Sequence, residues 1–173
     1  MNDTQHPEAE PWLRGTLTDH YAISRAVLHA LELAEEDVVR WCSGLTDAEI
    51  NARPFELAPV AFHLRHVARS LDRLLSYAEG TQLDESQRVS LRTELDTGAT
   101  RQSVLAEFRA ALETSAKRIR VFIPEQYNSV RGVGRAALPT TIGGLLVHCA
   151  DHTQRHVGQA VTTAKVILAM RNQ

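Results

Sequence analysis

Residues 138–165 read LPTTIGGLLVHCADHTQRHVGQAVTTAK, and this stretch decides the fold that we expect. Its inward-facing side chains return every three or four residues, which is the spacing of one face of an α-helix. We therefore predict a helix over 140–169. Histidines rather than leucines occupy the central turns of its inward face. The inward positions are Leu145, Cys149, His152, His156, Gln159 or Ala160, Thr163 and Ile167.

Three further segments show helical spacing of their apolar residues, at 18–41, 59–78 and 100–122. No Val-rich or Ile-rich alternating stretch indicates a strand. Four long amphipathic helices in one chain predict an all-α fold, an antiparallel four-helix bundle with long crossover loops. The connecting loops are expected at 42–59, 80–98 and 125–139, the second with room for a helical turn.

Local signals mark where these elements begin. Thr18 is the predicted N-cap of the first helix. Residues 46–49 read TDAE, the S/T-x-x-E spacing of a capping box, which predicts a short helical turn. Residues 1–15 are polar and are expected to form a loose lead-in, pinned by Trp12 and Leu13.

The composition excludes several classes of protein. A chain of 173 residues fits a single domain, 1–173. Nineteen Lys and Arg against 21 Asp and Glu give a net charge of −2, without the basic excess of a nucleic-acid-binding protein. Cys42 and Cys149 cannot build a disulfide framework, and no stretch resembles a signal peptide or a membrane span. We expect a cytoplasmic protein with no nucleic-acid or membrane partner.

The histidines of the last predicted helix form a series. His148, His152 and His156 follow one another at i, i+4 steps, so neighbouring rings stack along one side of the helix. An i, i+4 pair can present two imidazole nitrogens to one metal ion. His63 or His66, on the second helix, can supply a third nitrogen, which is the ligand set of catalytic zinc sites and of several nickel, cobalt and iron sites. The alternative is that these are ordinary core or surface histidines.

Two other metal architectures are absent. No glutamate is followed by histidine three residues later, so a di-iron carboxylate bundle is excluded. His152 is followed by threonine, so the H-E-x-x-H motif of zinc proteases is not present. Cys149, beside His148, is interpreted as a small core residue rather than as a ligand.

Three segments carry a resemblance to a known family. GLTDAEINARP at 44–54, VAFHLRHVARSLDRLL at 60–75 and the stretch at 138–165 occur in the order and spacing of the DinB-like superfamily, also called the YfiT-like fold. The resemblance covers most of 18–169. Its most specific part is the H-x-G-Q ending of the histidine-rich helix, at 156–159.

The resemblance implies a four-helix bundle of metal-dependent enzymes whose ion is held by three histidines. Carried over to this chain, the ligands are His66, His152 and His156, and the ion is zinc or nickel. Characterised relatives include transferases and isomerases that use low-molecular-weight thiols such as bacillithiol or mycothiol. Homodimers are common among them. Under this resemblance His63 and His148 are expected beside the ligands or lining the pocket.

A metal-bound imidazole usually donates its second N–H to a carboxylate, a carbonyl or water. Asp72, Asp151 and Gln159 are the candidates for such orienting roles, although Asp151 is better interpreted as a surface carboxylate. Arg131 and Arg135, in the glycine-rich loop, either grip an anionic substrate or belong to an ordinary turn. Catalytic and substrate-binding residues are not identified by any pattern.

The leading hypothesis is a metal-dependent enzyme acting on a small molecule, as a hydrolase or as a thiol-dependent transferase. The ion would lower the pKa of bound water or activate a thiol. The alternative is a non-catalytic metal-binding or stress-response bundle that works by binding a partner. A third reading is a degenerate member that binds no metal.

Overall fold

The structure, a computed structural model, describes residues 9–171 and is helical apart from one short hairpin. The long helices lie close to the four predicted segments, so the all-α prediction is confirmed. None of the described helices is long and apolar enough to cross a membrane. The helices are α1 (Ala22–Cys42), α2 (Asp47–Ile50), α3 (Val60–Ala78), α4 (Glu85–Arg92), α5 (Arg101–Ile119) and α6 (Ile142–Met170).

The core lies between the four long helices. Helix α6 packs against α1 and α3, and α3 also packs against α5. Each of the four contributes fully buried large side chains, including Leu28, Leu64, Phe108 and Leu146. Burying a side chain of this size stabilises the fold by about 1.5–3 kcal/mol. The packing of α3 on α6 also brings the histidines of the two helices together.

Helix α1 begins later than the sequence predicts. Thr18 is not its N-cap, because the helix starts at Ala22 after Tyr21, which makes no side-chain capping bond. The backbone of Leu17 is left-handed, with φ of 56°, and its carbonyl accepts a hydrogen bond from the N–H of His20. This turn uses the residues that would otherwise form the first turn of the helix.

The predicted role of Trp12 and Leu13 is wrong. They belong to a short 3₁₀ turn, Pro11–Leu13, in which Pro11 is the buried residue, while Trp12 is 61% exposed. A 3₁₀ turn of three residues can direct only some of its side chains towards the core, and here the inward position is occupied by Pro11. The segment is held instead by Arg14, which donates to Glu36 of α1 at 2.8 Å. Residues 1–8 of the predicted lead-in lie outside the described residues.

The predicted capping box at 46–49 is confirmed. The hydroxyl of Thr46 accepts from the N–H of Glu49 at 3.2 Å, and the Glu49 carboxylate accepts from the N–H of Thr46 at 2.7 Å. Helix α2 follows directly. Thr100 and Thr141 cap α5 and α6 in the simpler way, each accepting from a backbone N–H three residues on.

The segment predicted as a plain loop at 125–139 contains strands. Strand β1 (Val130–Val133) pairs with β2 (Leu138–Thr141) in an antiparallel hairpin that leads straight into α6. The four-residue strands contain a glycine and a proline and bury no residue, so they lack the alternation that predicts a strand. Arg131 donates to the Ala78 carbonyl at 2.8 Å, which ties the hairpin to the end of α3 and favours the turn interpretation of this loop.

The long crossover at 80–98 contains helix α4. Asp84 and Gln87 form a capping box at its start, with the Gln87 N–H donating to Asp84 at 2.8 Å. The helix itself buries no residue. Its placement therefore depends on polar contacts with α3, which matter for the histidine site.

Candidate metal centre

Three histidines from two helices meet on one side of the core. His66 lies on α3, and His152 and His156 lie one turn apart on α6. One ring nitrogen of each falls within 4.8 Å of the other two. The Nε2 atoms of His66 and His152 are 3.2 Å apart. These are the three residues that the resemblance implies as ligands, and the structure places them close enough to hold one ion.

Glu94 orients the first of these rings. Its Oε2 lies 2.7 Å from Nδ1 of His66, and its Oε1 accepts from Arg73 at 2.8 Å. Glu94 is only 6% exposed. Burial alone would raise the pKa of this carboxyl, but the hydrogen bonds from His66 and Arg73 outweigh it and hold the pKa below its usual value. The carboxylate is therefore ionised, and it turns Nε2 of His66 towards the other two rings.

Three arginines of α3 hold the crossover segment that carries Glu94. Arg65, Arg69 and Arg73 follow one another at i+4 steps, so they lie along one side of the helix. Arg65 donates to the Asp96 carbonyl at 2.9 Å, and Arg69 donates to the Ser90 carbonyl at 2.7 Å. Arg73 binds Glu94 itself. The same helix thus supplies His66 and fixes the residue that orients it.

His63 contacts the second ring of α6. It is 5% exposed, and its Nδ1 lies 3.2 Å from Nδ1 of His156. One of the two Nδ1 atoms carries the hydrogen and the other accepts it. Phe62 packs against two of the histidine rings, with its ring centroid 5.2 Å from that of His63 and 5.5 Å from that of His66. The predicted role of His63 beside the ligands, rather than on the ion, stays a prediction that this contact supports.

Three of the histidines here, His63, His152 and His156, are uncharged at neutral pH. Burial lowers the pKa of His63, His152 and His156 to about 4, and repulsion from neighbouring imidazolium rings adds to the effect. For His152 and His156 the guanidinium of Arg155 also contributes. A neutral imidazole keeps one nitrogen lone pair, which is the form that binds a metal ion.

The other predicted site residues lie in different places. His148 is exposed, with its ring centroid 5.4 Å from that of His152 and its Nδ1 3.5 Å from Asp151. Asp151 also accepts from Arg155 at 2.7 Å, which agrees with the surface interpretation. Asp72 binds Arg118 at 2.7 Å and contacts none of the histidines described here. Gln159 lies one turn beyond His156 and lines a cavity.

The orienting carboxylate was not among the sequence candidates. Glu94 follows α4 in a polar crossover with no apolar periodicity, 28 residues after His66. Only the folding of that segment against α3 brings it to the ring. The sole local signal for this contact is the series of arginines on α3. It predicts hydrogen-bond acceptors along that side of the helix but does not identify the residues that supply them.

Neither cysteine belongs to the site. Cys42 and Cys149 are both buried in the apolar core. Burial raises the pKa of each thiol to about 12. Both thiols stay protonated near neutral pH and are neither nucleophiles nor ligands there.

The residues fit a divalent ion that prefers nitrogen ligands. Two ligand nitrogens at ~2.0–2.1 Å from a tetrahedral ion lie roughly 3.3–3.4 Å apart, and the Nε2 atoms of His66 and His152 are separated by 3.2 Å. The Nδ1 atoms of His66 and His156 are occupied by Glu94 and His63, which leaves Nε2 of each ring for the ion. Such second partners are usual for metal-bound histidines.

The ion-free protein is expected to lose stability as the pH falls from about 6.5 towards 4. The histidines with a folded-state pKa of about 4 have a pKa near ~6.5 when unfolded. The unfolded chain therefore binds more protons across this interval, and the free energy of unfolding falls with falling pH. Urea unfolding at several pH values measures the slope. The double variant His63→Asn, His156→Asn should have a shallower slope, and an unchanged slope would contradict the assignment.

Comparison with known proteins identifies the family. A family model described as the DinB superfamily matches residues 30–160, well over half of the chain. A solved structure, described as the crystal structure of the conserved protein of locus from Enterococcus faecalis, superposes with a TM-score of 0.70 and 20% sequence identity. The match covers 84% of this chain and 97% of that one, and at this identity it shows the fold alone. No curated protein gives a significant match. The chain therefore belongs to the DinB superfamily.

Proposed function

We propose that this protein is a metal-dependent enzyme in which His66, His152 and His156 hold one divalent ion, zinc or nickel. The observation that carries the proposal is the convergence of three ring nitrogens within 4.8 Å. We further propose that the four long helices form the antiparallel bundle expected for this superfamily. A homodimer, a small-molecule substrate and a cytoplasmic location remain predictions.

Three histidine ligands leave at least one position for water or substrate, which is the pattern of catalytic rather than structural zinc sites. A closed structural site would need a fourth protein donor. Within residues 9–171 the converging group consists of three histidines, and His63 faces a ring rather than the centre of the group. This arrangement argues against a purely structural ion.

Bound at these nitrogens, a divalent ion would act as a Lewis acid that lowers the pKa of a coordinated water or thiol. The protein supplies the orientation of the ligands. Glu94 fixes His66, and His63 fixes His156. Phe62 shields His63 and His66 on one side, which limits the access of water to them.

Thiol-dependent transfer is favoured over hydrolysis. Both carboxylate oxygens of Glu94 are engaged, one by His66 and one by Arg73, so this residue is not a free general base for water. A thiol, with an intrinsic pKa near ~8.5, is far more acidic than water, so the ion holds it as thiolate at neutral pH more readily and without a protein base. Because Cys42 and Cys149 are buried and protonated, the reacting thiol would be a separate small molecule.

Parallel assays with zinc-loaded protein distinguish the two reactions. The electrophile 1-chloro-2,4-dinitrobenzene with bacillithiol, mycothiol, glutathione or cysteine reports thiol transfer, and 4-nitrophenyl acetate without thiol reports hydrolysis. We expect zinc-dependent transfer with at least one thiol, and no transfer above background with His152→Ala. Ester hydrolysis alone would favour the hydrolase, and no zinc-dependent rate in either assay, nor with nickel, would contradict the proposal for these substrate classes.

A further inference from the structure

A cavity of about 340 Å³ lies next to the histidine site, between α6 and the segment that precedes α3. Ligand-binding cavities of proteins usually begin at about 300 Å³ and are mostly apolar with a few polar groups. Leu57 and Ala58 provide apolar walls, and the Thr163 hydroxyl donates to the Ala58 carbonyl at 3.2 Å, which fastens this wall to α6. The cavity therefore has the size and framework of a small-molecule site.

The side chain of His63 separates the cavity from the proposed metal ligand His156. His63 forms part of its wall, and Nδ1 of His63 lies 3.2 Å from Nδ1 of His156. Along α6, Gln159 and Thr163 line the cavity in the two turns that follow His156. A molecule in the cavity would thus extend along α6 beside the ligands.

Close packing does not explain the presence of a glycine at position 158 of α6. A glycine in the interior of a helix is destabilising relative to alanine, and it leaves open the space that a side chain would fill. A Cβ atom built on Gly158 meets nothing within 4 Å, whereas one on Gly143 would lie 3.2 Å from the Tyr127 carbonyl. Gly158 also lines the cavity. The missing side chain leaves space in the cavity, which accounts for the glycine of the H-x-G-Q motif at 156–159.

The charge of the lining favours an anion. Among the residues that line the cavity, Arg155 is the one arginine, lysine, aspartate or glutamate, so the lining carries one fixed positive charge. Arg155 lies at the exposed rim and gives one hydrogen bond to Asp151 through Nη2. A guanidinium has five N–H donors, so donors remain for a second carboxylate. The Gln159 amide adds a neutral hydrogen-bonding group.

We propose that this cavity binds the substrate as a small organic carboxylate, with its apolar stem on Leu57 and over Gly158 and its carboxylate at Arg155. This inference rests on the proposed function, since it places the substrate beside the ion. It names the substrate class, which neither the family nor the three histidines determine.

The test uses hexanoate as the probe and the full chain loaded with zinc. Binding is measured by saturation-transfer NMR, with hexan-1-ol and hexylamine as uncharged and cationic analogues. We expect hexanoate to bind at least ten times more tightly than either analogue. Gly158→Leu should weaken hexanoate binding at least ten-fold with zinc content unchanged, and Arg155→Gln should remove the preference for hexanoate over hexan-1-ol.

Ala169→Leu is the matched control, because it adds the same side chain at an exposed position of α6 away from the cavity, and it should leave binding unchanged. Gly158→Ala is a second variant in case the leucine variant misfolds. It should raise the melting temperature and should weaken hexanoate binding by less than Gly158→Leu does. Equal hexanoate affinity in wild type and Gly158→Leu, or no preference over the analogues, would overturn the cavity proposal. If zinc does not bind but hexanoate binding still depends on Gly158, the cavity stands and the metal-dependent function fails.

Discussion

Replacing His156 by alanine is expected to weaken zinc binding at least about 100-fold, more than loss of an orienting partner would. The ion binds the folded chain and not the unfolded one, so zinc at about 100 times its Kd should add ~2.7 kcal/mol to the free energy of unfolding. For a chain of this length that corresponds to a rise in melting temperature of roughly 5–10 °C. Thermal unfolding with and without zinc measures the rise. The wild type should show it and His156→Ala should not.

The matched control for this variant is His148→Ala. His148 is also a histidine of α6, one turn before His152, but it is exposed and does not belong to the group of three converging nitrogens. Its removal should leave the zinc-induced rise nearly complete. A full rise in His156→Ala, or the loss of the rise in His148→Ala, would mean that a different set of histidines binds the ion.

Glu94→Gln is expected to weaken zinc binding about 10–100-fold, the usual effect of removing an outer partner of a metal-bound histidine. The amide oxygen can still accept from only one of His66 and Arg73, and its NH₂ group would face the other. The variant also loses a charged hydrogen bond in a buried place, so the ion-free protein should be destabilised by about 1.5–3 kcal/mol. Zinc competition against a chromophoric chelator and urea unfolding measure the two effects.

Glu107→Gln separates the orientation of His66 from the anchoring of the crossover. Glu107 lies on α5 and accepts from Arg69 at 2.7 Å, so it belongs to the same arginine series, but its bonds go to arginines rather than to His66. We expect it to cost some stability and to leave zinc affinity within about three-fold. Equal losses of zinc affinity in Glu94→Gln and Glu107→Gln would show that Glu94 acts only by anchoring the segment.

The long helices were predictable because each carries its apolar residues on one face over many turns. The residues that cap the helices were less predictable. Thr46 caps α2 as its sequence suggests, whereas Thr18 does not cap α1, since the left-handed residue at Leu17 produces a turn first. The hairpin at 130–141 escaped prediction because its strands are short and exposed and therefore have no buried alternating face.

The same contrast holds for the site. His152 and His156 could be found because an i, i+4 pair is a local pattern, and α3 offered His63 and His66 as partners. Which of these joins the pair depends on the packing of α3 on α6, and the resemblance rather than the spacing chose His66. Glu94 and the cavity at Gly158 depend on contacts between segments distant in sequence, which no local pattern reveals.

The central claim is that one ion is held by three histidines, and metal content tests it most directly. The chain should be purified without a polyhistidine tag and analysed by plasma mass spectrometry, as wild type and as His66→Ala, His152→Ala, His156→Ala and His148→Ala. We expect about one zinc or nickel per chain in the wild type and in His148→Ala, and almost none in the other three. A wild type that holds no ion and takes up none on titration, or an ion that survives the loss of His66, His152 or His156, would contradict the account.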